Sequence, residues 1–309
     1  MSNYSHIIEQ AKKSFSSVAR LESLLEREPF NAAVQTNLIG MRRKALADKV
    51  AMESLAASSR VEVCDYRIIC DDEGDYGLGR VSACLLTYQQ LFTQIYDAIK
   101  NGPKGKATFG KDAEHESSLE FAFTYSGSLG VVLMAQSEMD FFDGSLDKPI
   151  DALYQIMDIS DVDRVKEIAQ TLGRAVVKRI HDWSKANVDG GYSADIRWKK
   201  SDGKNLGQVV DRGTLKNIVD FIESTADTKT STIQIIGMLV GGDLQNRSFH
   251  ITVSGGESYK GHLDKEALLS TEMTLGQIYD ATIEISETYH FATEITKTAF
   301  KLTRLTSSV

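Results

Sequence analysis

The chain has 309 residues, enough for a sizeable core and about two domains at roughly 100–200 residues each. It carries 35 Lys and Arg against 43 Asp and Glu, a net charge of −8, with no strongly basic region, so the electrostatic footprint of a nucleic-acid binder is missing. No run of about 18 apolar residues is present to span a bilayer, and the opening MSNYSHIIEQAKKSF lacks the basic-then-apolar order of a signal peptide. Cys64, Cys70 and Cys84 are odd in number and fit reduced, partly buried thiols, so the expected location is cytoplasmic.

Residues 1–58 read as a helical hairpin. Ile8, Ala11, Phe15, Val18 and Leu25 recur at three- and four-residue steps, and Leu21 and Leu24 widen the stripe. Pro29 breaks the pattern, and Asn31 is placed to cap a second helix marked by Val34, Leu38, Met41, Ala45, Met52 and Leu55. Ile39, Leu46 and Val50 add apolar positions beyond one narrow stripe. Two facing helices bury only the facing side of each, so the excess must meet the rest of the chain or another protein. The candidate protein-binding residues are Phe15, Val18, Leu21, Leu25, Leu38, Met41 and Leu55.

Residues 59–227 read as a mixed α+β domain. Val61 to Cys70 is a β-branched strand, DDEGDYG an acidic loop, and Val81 to Ile99 a helix with one apolar face stopped by Asn101-Gly102-Pro103. Residues 103–116 are polar and rich in Gly and Lys, which predicts a mobile loop. Leu119 to Tyr125 and Val131 to Met134 predict a hairpin around Ser126-Gly127-Ser128. Helices are predicted at 149–158, at 162–186 ending near Trp183, and at 214–223, with a strand at 192–199.

Residues 228–309 change character, with strand patterns at 231–241, 247–254, 258–263, 277–286 and 294–305 and a helical turn at Lys265 to Leu269. That order predicts a small β-barrel, OB-like or SH3-like, with Ile235, Leu239, Phe249, Ile251, Ile283 and Leu302 inward. The fold class is therefore α+β: an N-terminal helical hairpin, a mixed middle domain and a C-terminal small barrel.

Motifs for chemistry are sparse. Asp71, Asp72, Glu73 and Asp75 resemble a cation loop, but the sixth position is Tyr76 where a calcium loop needs glycine, so a solvated turn is the better reading. Ser126 to Gly130 lies between two strands, not before a helix, and fits a hairpin turn better than a phosphate cradle. The six histidines show no zinc spacing, and His181, beside Asp182 and Trp183 near a predicted helix end, is accounted for by the helix dipole. Neither a catalytic residue, a metal site nor a cofactor is expected. Phe249 and Tyr259 are the candidate ligand-binding residues, because aromatics on the second and third barrel strands can stack on bases. Their period fits inward packing equally, and the acidic balance favours packing.

The series Tyr66-Arg67, Gln89-Gln90-Leu91-Phe92 and Tyr125-Ser126-Gly127-Ser128-Leu129-Gly130 resembles uncharacterised bacterial proteins. The resemblance implies a bacterial accessory role such as phage defence and supplies no site residue. The expected function is a non-enzymatic binding or assembly protein that self-associates or meets a protein partner through the hairpin. Two alternatives are a nucleic-acid binder using the barrel, and a hydrolase or nuclease whose dispersed site unites His181 with distant acids.

Overall fold

A computed structural model describes residues 2–70, 75–125, 129–136, 146–243, 245–264 and 273–307. The expected cation loop at Asp71 to Glu73, the turn at Ser126 to Ser128 and the helical turn at Lys265 to Leu269 lie outside the described residues. Contacts divide the chain into two compact units, Met1–Ser224 and Thr225–Val309.

The first unit opens with α1 (Ser2–Arg27) and α2 (Ala32–Ser58). Asn31 is extended, and its side chain accepts a hydrogen bond from the Val34 backbone N–H at 3.1 Å, satisfying a donor that the helix cannot. The seam between the helices is Val18, Leu38 and Ala45, flanked by Phe15, Leu21, Leu25 and Met41. A polar contact fixes its register: Gln10 Nε2 donates to Asp48 Oδ1 at 2.9 Å, and the buried Ser14 hydroxyl donates to Asp48 Oδ2.

Five strands follow: β1 (Val61–Cys70), β2 (Glu120–Tyr125), β3 (Leu129–Gln136), β4 (Tyr192–Lys199) and β5 (Asn205–Val210). They form one sheet in the order β2-β3-β1-β4-β5, antiparallel at every pairing. Alternation along each strand gives the sheet two different faces. On one, Val63, Phe123, Val132 and Met134 pack against Ala11, Met52 and Ala56 of the hairpin. The other carries Tyr66 and Trp198 into helices α3 (Leu78–Asn101) and α7 (Arg174–Gly190). There Trp183 Nε1 donates to the Tyr66 hydroxyl at 3.0 Å and Trp198 Nε1 to the Tyr88 hydroxyl at 2.9 Å, so the buried indoles have partners. Helices α4 (Lys111–Glu116), α5 (Asp147–Ile156), α6 (Val162–Thr171) and α8 (Arg212–Ser224) complete the unit.

Three local expectations are corrected. Residues 103–116 hold the six-residue helix α4, too short to show apolar periodicity and buried only at Ala113. The helix predicted at 162–186 is two, α6 and α7, split at Gly173, whose φ of 95° no helix can include. Its end is not near Trp183, because α7 runs to Gly190 and is closed by the left-handed Gly191.

The second unit is made of β6 (Ala226–Asp243), β7 (Ser248–Val253), β8 (Ser258–Leu263), β9 (Ile278–His290) and β10 (Ile295–Ser307). The strands close into a ring in the order β10-β8-β7-β6-β9, with β9 pairing again with β10. Among the described residues every pairing is antiparallel except β8 with β10, which meet in parallel at His262–Lys301 and Leu263–Leu302. Leu239, Phe249, Ile251, Ile283 and Leu302 fill the centre with Leu263, Tyr279, Ala281 and Leu305, and Ile235 packs at its margin.

Candidate functional site

The hairpin does not cover its whole side of the sheet. α1 packs on β2 and α2 on β1, while further along the same face Arg197 and Val209 are exposed. The register brings side chains on that face into two rows. One runs Tyr125, Gly130, Arg67, Asp195, Val209 across β2-β3-β1-β4-β5. The next runs Phe123, Val132, Asp65, Arg197, Gly207. At the centre, Arg67 stands opposite Asp195 and Asp65 opposite Arg197, a two-by-two checkerboard of charge.

Its local cause is a repeated tripeptide. β1 carries Asp65-Tyr66-Arg67 and β4 carries Asp195-Ile196-Arg197. Residues two apart on a strand share a face, and antiparallel pairing sets each acid against a base. The central residues Tyr66 and Ile196 point to the helical face and are fully buried.

Both carboxylates are committed. Asp195, with its side chain 3 % exposed, accepts from Arg197 Nε at 2.9 Å and pairs with Arg67 Nη1 at 3.5 Å. Asp65 accepts the Tyr125 hydroxyl on Oδ1 and pairs with Lys49 of α2 on Oδ2. The Tyr125 ring is held between Phe15, 5.2 Å away between centroids, and Gly130, with Lys49 Nζ 5.1 Å from its centre. Burial, reinforced by Asp65, pushes the Tyr125 phenol far up, so it remains a donor. The hydrogen bond to Asp195 holds the Arg197 guanidinium up as well.

Two hollows flank α2 above this checkerboard, of about 540 and 360 Å³, and they share Lys49, Asp65 and Arg197. The larger reaches Glu53, Lys199, Asn205 and Gln208, and the smaller Arg42, Glu22 and Leu46. Lys199 pairs with Glu53 at 3.1 Å and Arg42 with Glu22 at 2.7 Å. The groove is therefore equipped to hold a charged group in place.

The residues read from the sequence are distributed differently. Val18 and Leu38 are buried in the hairpin seam, with Leu21, Leu25 and Met41 half-buried around them. Phe15 bridges the seam and the sheet cluster, and Leu55 is half-buried near the end of α2. The large apolar side chains that the hairpin exposes are Leu24, Phe30, Ile39, Leu46 and Val50. Phe249 is turned into the ring core, and Tyr259 is half-buried edge-on to Phe300, with its hydroxyl 3.2 Å from Glu257. His181 stands inside α7, not at its end, so the dipole does not account for it. Its Nε2 is 3.1 Å from Glu223 Oε1 and its Nδ1 3.4 Å from Asp182 Oδ1. The hollow between α3 and α7 is lined by Asp182, Lys185 and Asp189 and not by His181. Among the described residues no group of three or more His, Cys, Asp or Glu could hold a metal ion, and no helix is long and apolar enough to cross a membrane.

The checkerboard was missed in the sequence, although it left a signal: two strand-like runs each interrupt apolar alternation with Asp-x-Arg. No family model matches the chain, and neither a curated protein nor a solved structure is significantly similar to it.

Proposed function

We propose that this chain is a non-enzymatic binding and assembly protein that associates through the outward side of its helical hairpin. One observation carries the reading. Ile39, Leu46 and Val50 of α2 are 55 %, 60 % and 55 % exposed. Spacings of seven and four residues place them within about 40° of arc on a helix of 3.6 residues per turn. Such a line on an outer face is the kind of apolar strip that proteins cover with a partner. Phe15, Val18, Leu21, Leu25, Leu38 and Met41 are used in the seam or against the sheet and Leu55 is half-buried, so association falls to this second stripe. The pairing of both checkerboard carboxylates with cations supports a holding role. The accessory role implied by the bacterial resemblance is of the same kind.

We infer further that the C-terminal ring is a barrel of the OB type. Its third strand closes in parallel on its fifth while the fourth pairs with the first, which supports that Greek-key arrangement over an SH3-like one.

Light scattering on the full chain tests the association. A mass above the monomer's 34.1 kDa is expected, falling to the monomer in the L46E/V50E double variant with unchanged circular dichroism. A full chain that is monomeric at all concentrations up to about 100 μM and gains no partner in a native pull-down dependent on these two residues would remove the reading.

A further inference from the structure

We propose that the groove between α2 and strands β1, β4 and β5 binds a small anionic ligand through a carboxylate or phosphate oxyanion, received by the guanidinium of Arg197. The inference concerns the side of α2 that faces the sheet, which meets the outer stripe only at Leu46, and it stands whether or not the chain associates.

The charge inventory of the groove points to an anion. Its cations are Arg42, Lys49, Arg67, Arg197 and Lys199, and its anions Glu22, Glu53, Asp65 and Asp195. Glu22 is taken by Arg42, Glu53 by Lys199 and Asp65 by Lys49. Arg67 and Arg197 both engage Asp195. The lining thus carries one more cation than anion, and the more exposed of these two guanidinium groups is that of Arg197, whose side chain is 60 % exposed against 34 % for Arg67. The carboxylate that orients them lies beneath, almost wholly buried, so the surface offered to solvent is the cationic one.

The geometry of Arg197 matches that task. It is tied to Asp195 through Nε, at 2.9 Å, while neither terminal nitrogen is within hydrogen-bonding reach of a partner among the described residues. A guanidinium oriented through Nε, with both terminal NH2 groups still in hand, is prepared for a bidentate oxyanion. Its stem runs over Gly207, where an added Cβ would stand 3.4 Å from Arg197 Cγ, so the stem lies against the sheet while Nε is tied to Asp195. Preorganisation of this kind lowers the entropic cost of binding. Asn205 and Gln208 line the same lobe and supply neutral donors and acceptors for the rest of a ligand. A volume of about 540 Å³ is within the range of small-molecule sites.

The test uses the full chain, labelled with ¹⁵N, and follows the arginine Nε–H signals during titration with sodium phosphate and, separately, sodium citrate. Sodium chloride at matched ionic strength is the control. The expected result is a saturable shift of the Arg197 signal with a dissociation constant of about 1 mM or below. Chloride should not reproduce it. R197Q should weaken binding by at least about tenfold, and R197K, which keeps the charge and loses the fork, should recover only part. K216Q, on α8 and outside both hollows, should leave affinity within about twofold. Three results overturn the proposal: no saturable shift by about 50 mM, an equal shift with chloride, or unchanged affinity in R197Q whose melting curve matches the parent's. Phosphate without citrate, or the reverse, upholds it and selects the ligand's head group.

Discussion

The ring of Tyr125 occupies the space that a side chain on Gly130 would need. A Cβ on Gly130 would stand 2.2 Å from Tyr125 Cζ, and the two residues are register partners on β2 and β3. The vacancy lets the phenol reach past β3 to Asp65 on β1. Tyr125 and Gly130 bound the segment singled out in the sequence, and Arg67, from the other quoted pair, is Gly130's partner on its opposite side.

G130A should therefore destabilise the protein by about 2 kcal/mol, the usual scale of overpacking in a filled core. In a Y125A background the same substitution should cost less than about 0.5 kcal/mol, because the obstructing ring is gone. Urea denaturation of the four proteins in this cycle measures the coupling. Additive costs would show that the ring and the glycine do not compete for space.

Glu62 of β1 is fully buried, and its carboxylate accepts Ser201 N–H and the Ser201 hydroxyl, both at 2.7 Å. Burial raises it above the ordinary carboxylate range, outweighing those hydrogen bonds. A folded state that holds the proton more tightly than the unfolded chain gains stability below the ordinary value near 4.5. That gain is lost as pH rises through the raised value. Gln can serve Ser201 without a charge, so E62Q should be the more stable protein at pH 8, and the difference should shrink as pH falls towards 4. Thermal melts of both proteins across that range decide it; a difference independent of pH would exclude Glu62 as the cause.

Gly261 on β8 lies against the backbone of β10. A Cβ there would approach the Phe300 carbonyl oxygen to 1.9 Å, next to the two-residue parallel contact that closes the ring. Backbone cannot rotate away as a side chain can, so G261A should cost about 3 kcal/mol or more. Hydrogen exchange should show lost protection first at Asp264, whose N–H donates to Leu302 O at 2.9 Å. Protection there equal to the parent's would mean that β10 shifts without cost.

Nucleic-acid affinity should be poor. Residues 225–309 hold 7 Lys and Arg against 10 Asp and Glu, and Phe249 is unavailable for stacking because it fills the core. Fluorescence anisotropy at about 150 mM salt should give dissociation constants no tighter than about 10⁻⁶ M for generic single strands. Submicromolar binding would return the C-terminal ring to consideration as a nucleic-acid module.

Local chemistry was legible where one residue type decides the outcome. Asn31 caps α2 as expected because a short polar side chain after Pro29 has few other uses. The strand at 192–199 is found where β-branched and aromatic residues alternate. β5 was overlooked, since Asn205-Leu206-Gly207-Gln208-Val209-Val210 has a glycine at its centre and weak alternation. The groove was illegible for a different reason. Asp65 and Asp195 are 130 positions apart in the chain, and only the β1–β4 register makes four ordinary charges into one cluster. Exposure of Ile39, Leu46 and Val50, against burial of Leu38, Ala45 and Met52, depends likewise on how α2 is rolled on its neighbours, which periodicity alone does not specify.

α2 is one uninterrupted helix that walls the charged groove with Lys49 and presents Leu46 and Val50 outward within the same turn. A rod of this kind cannot be adjusted on one side alone. If an anion in the groove changes how α2 lies on β1, it changes the affinity of the outer stripe by some factor, and a partner on the stripe must change the anion's affinity by the same factor. Occupancy of the groove and assembly would then be two readings of a single equilibrium, and the concentration of a small molecule could set the size of the complex.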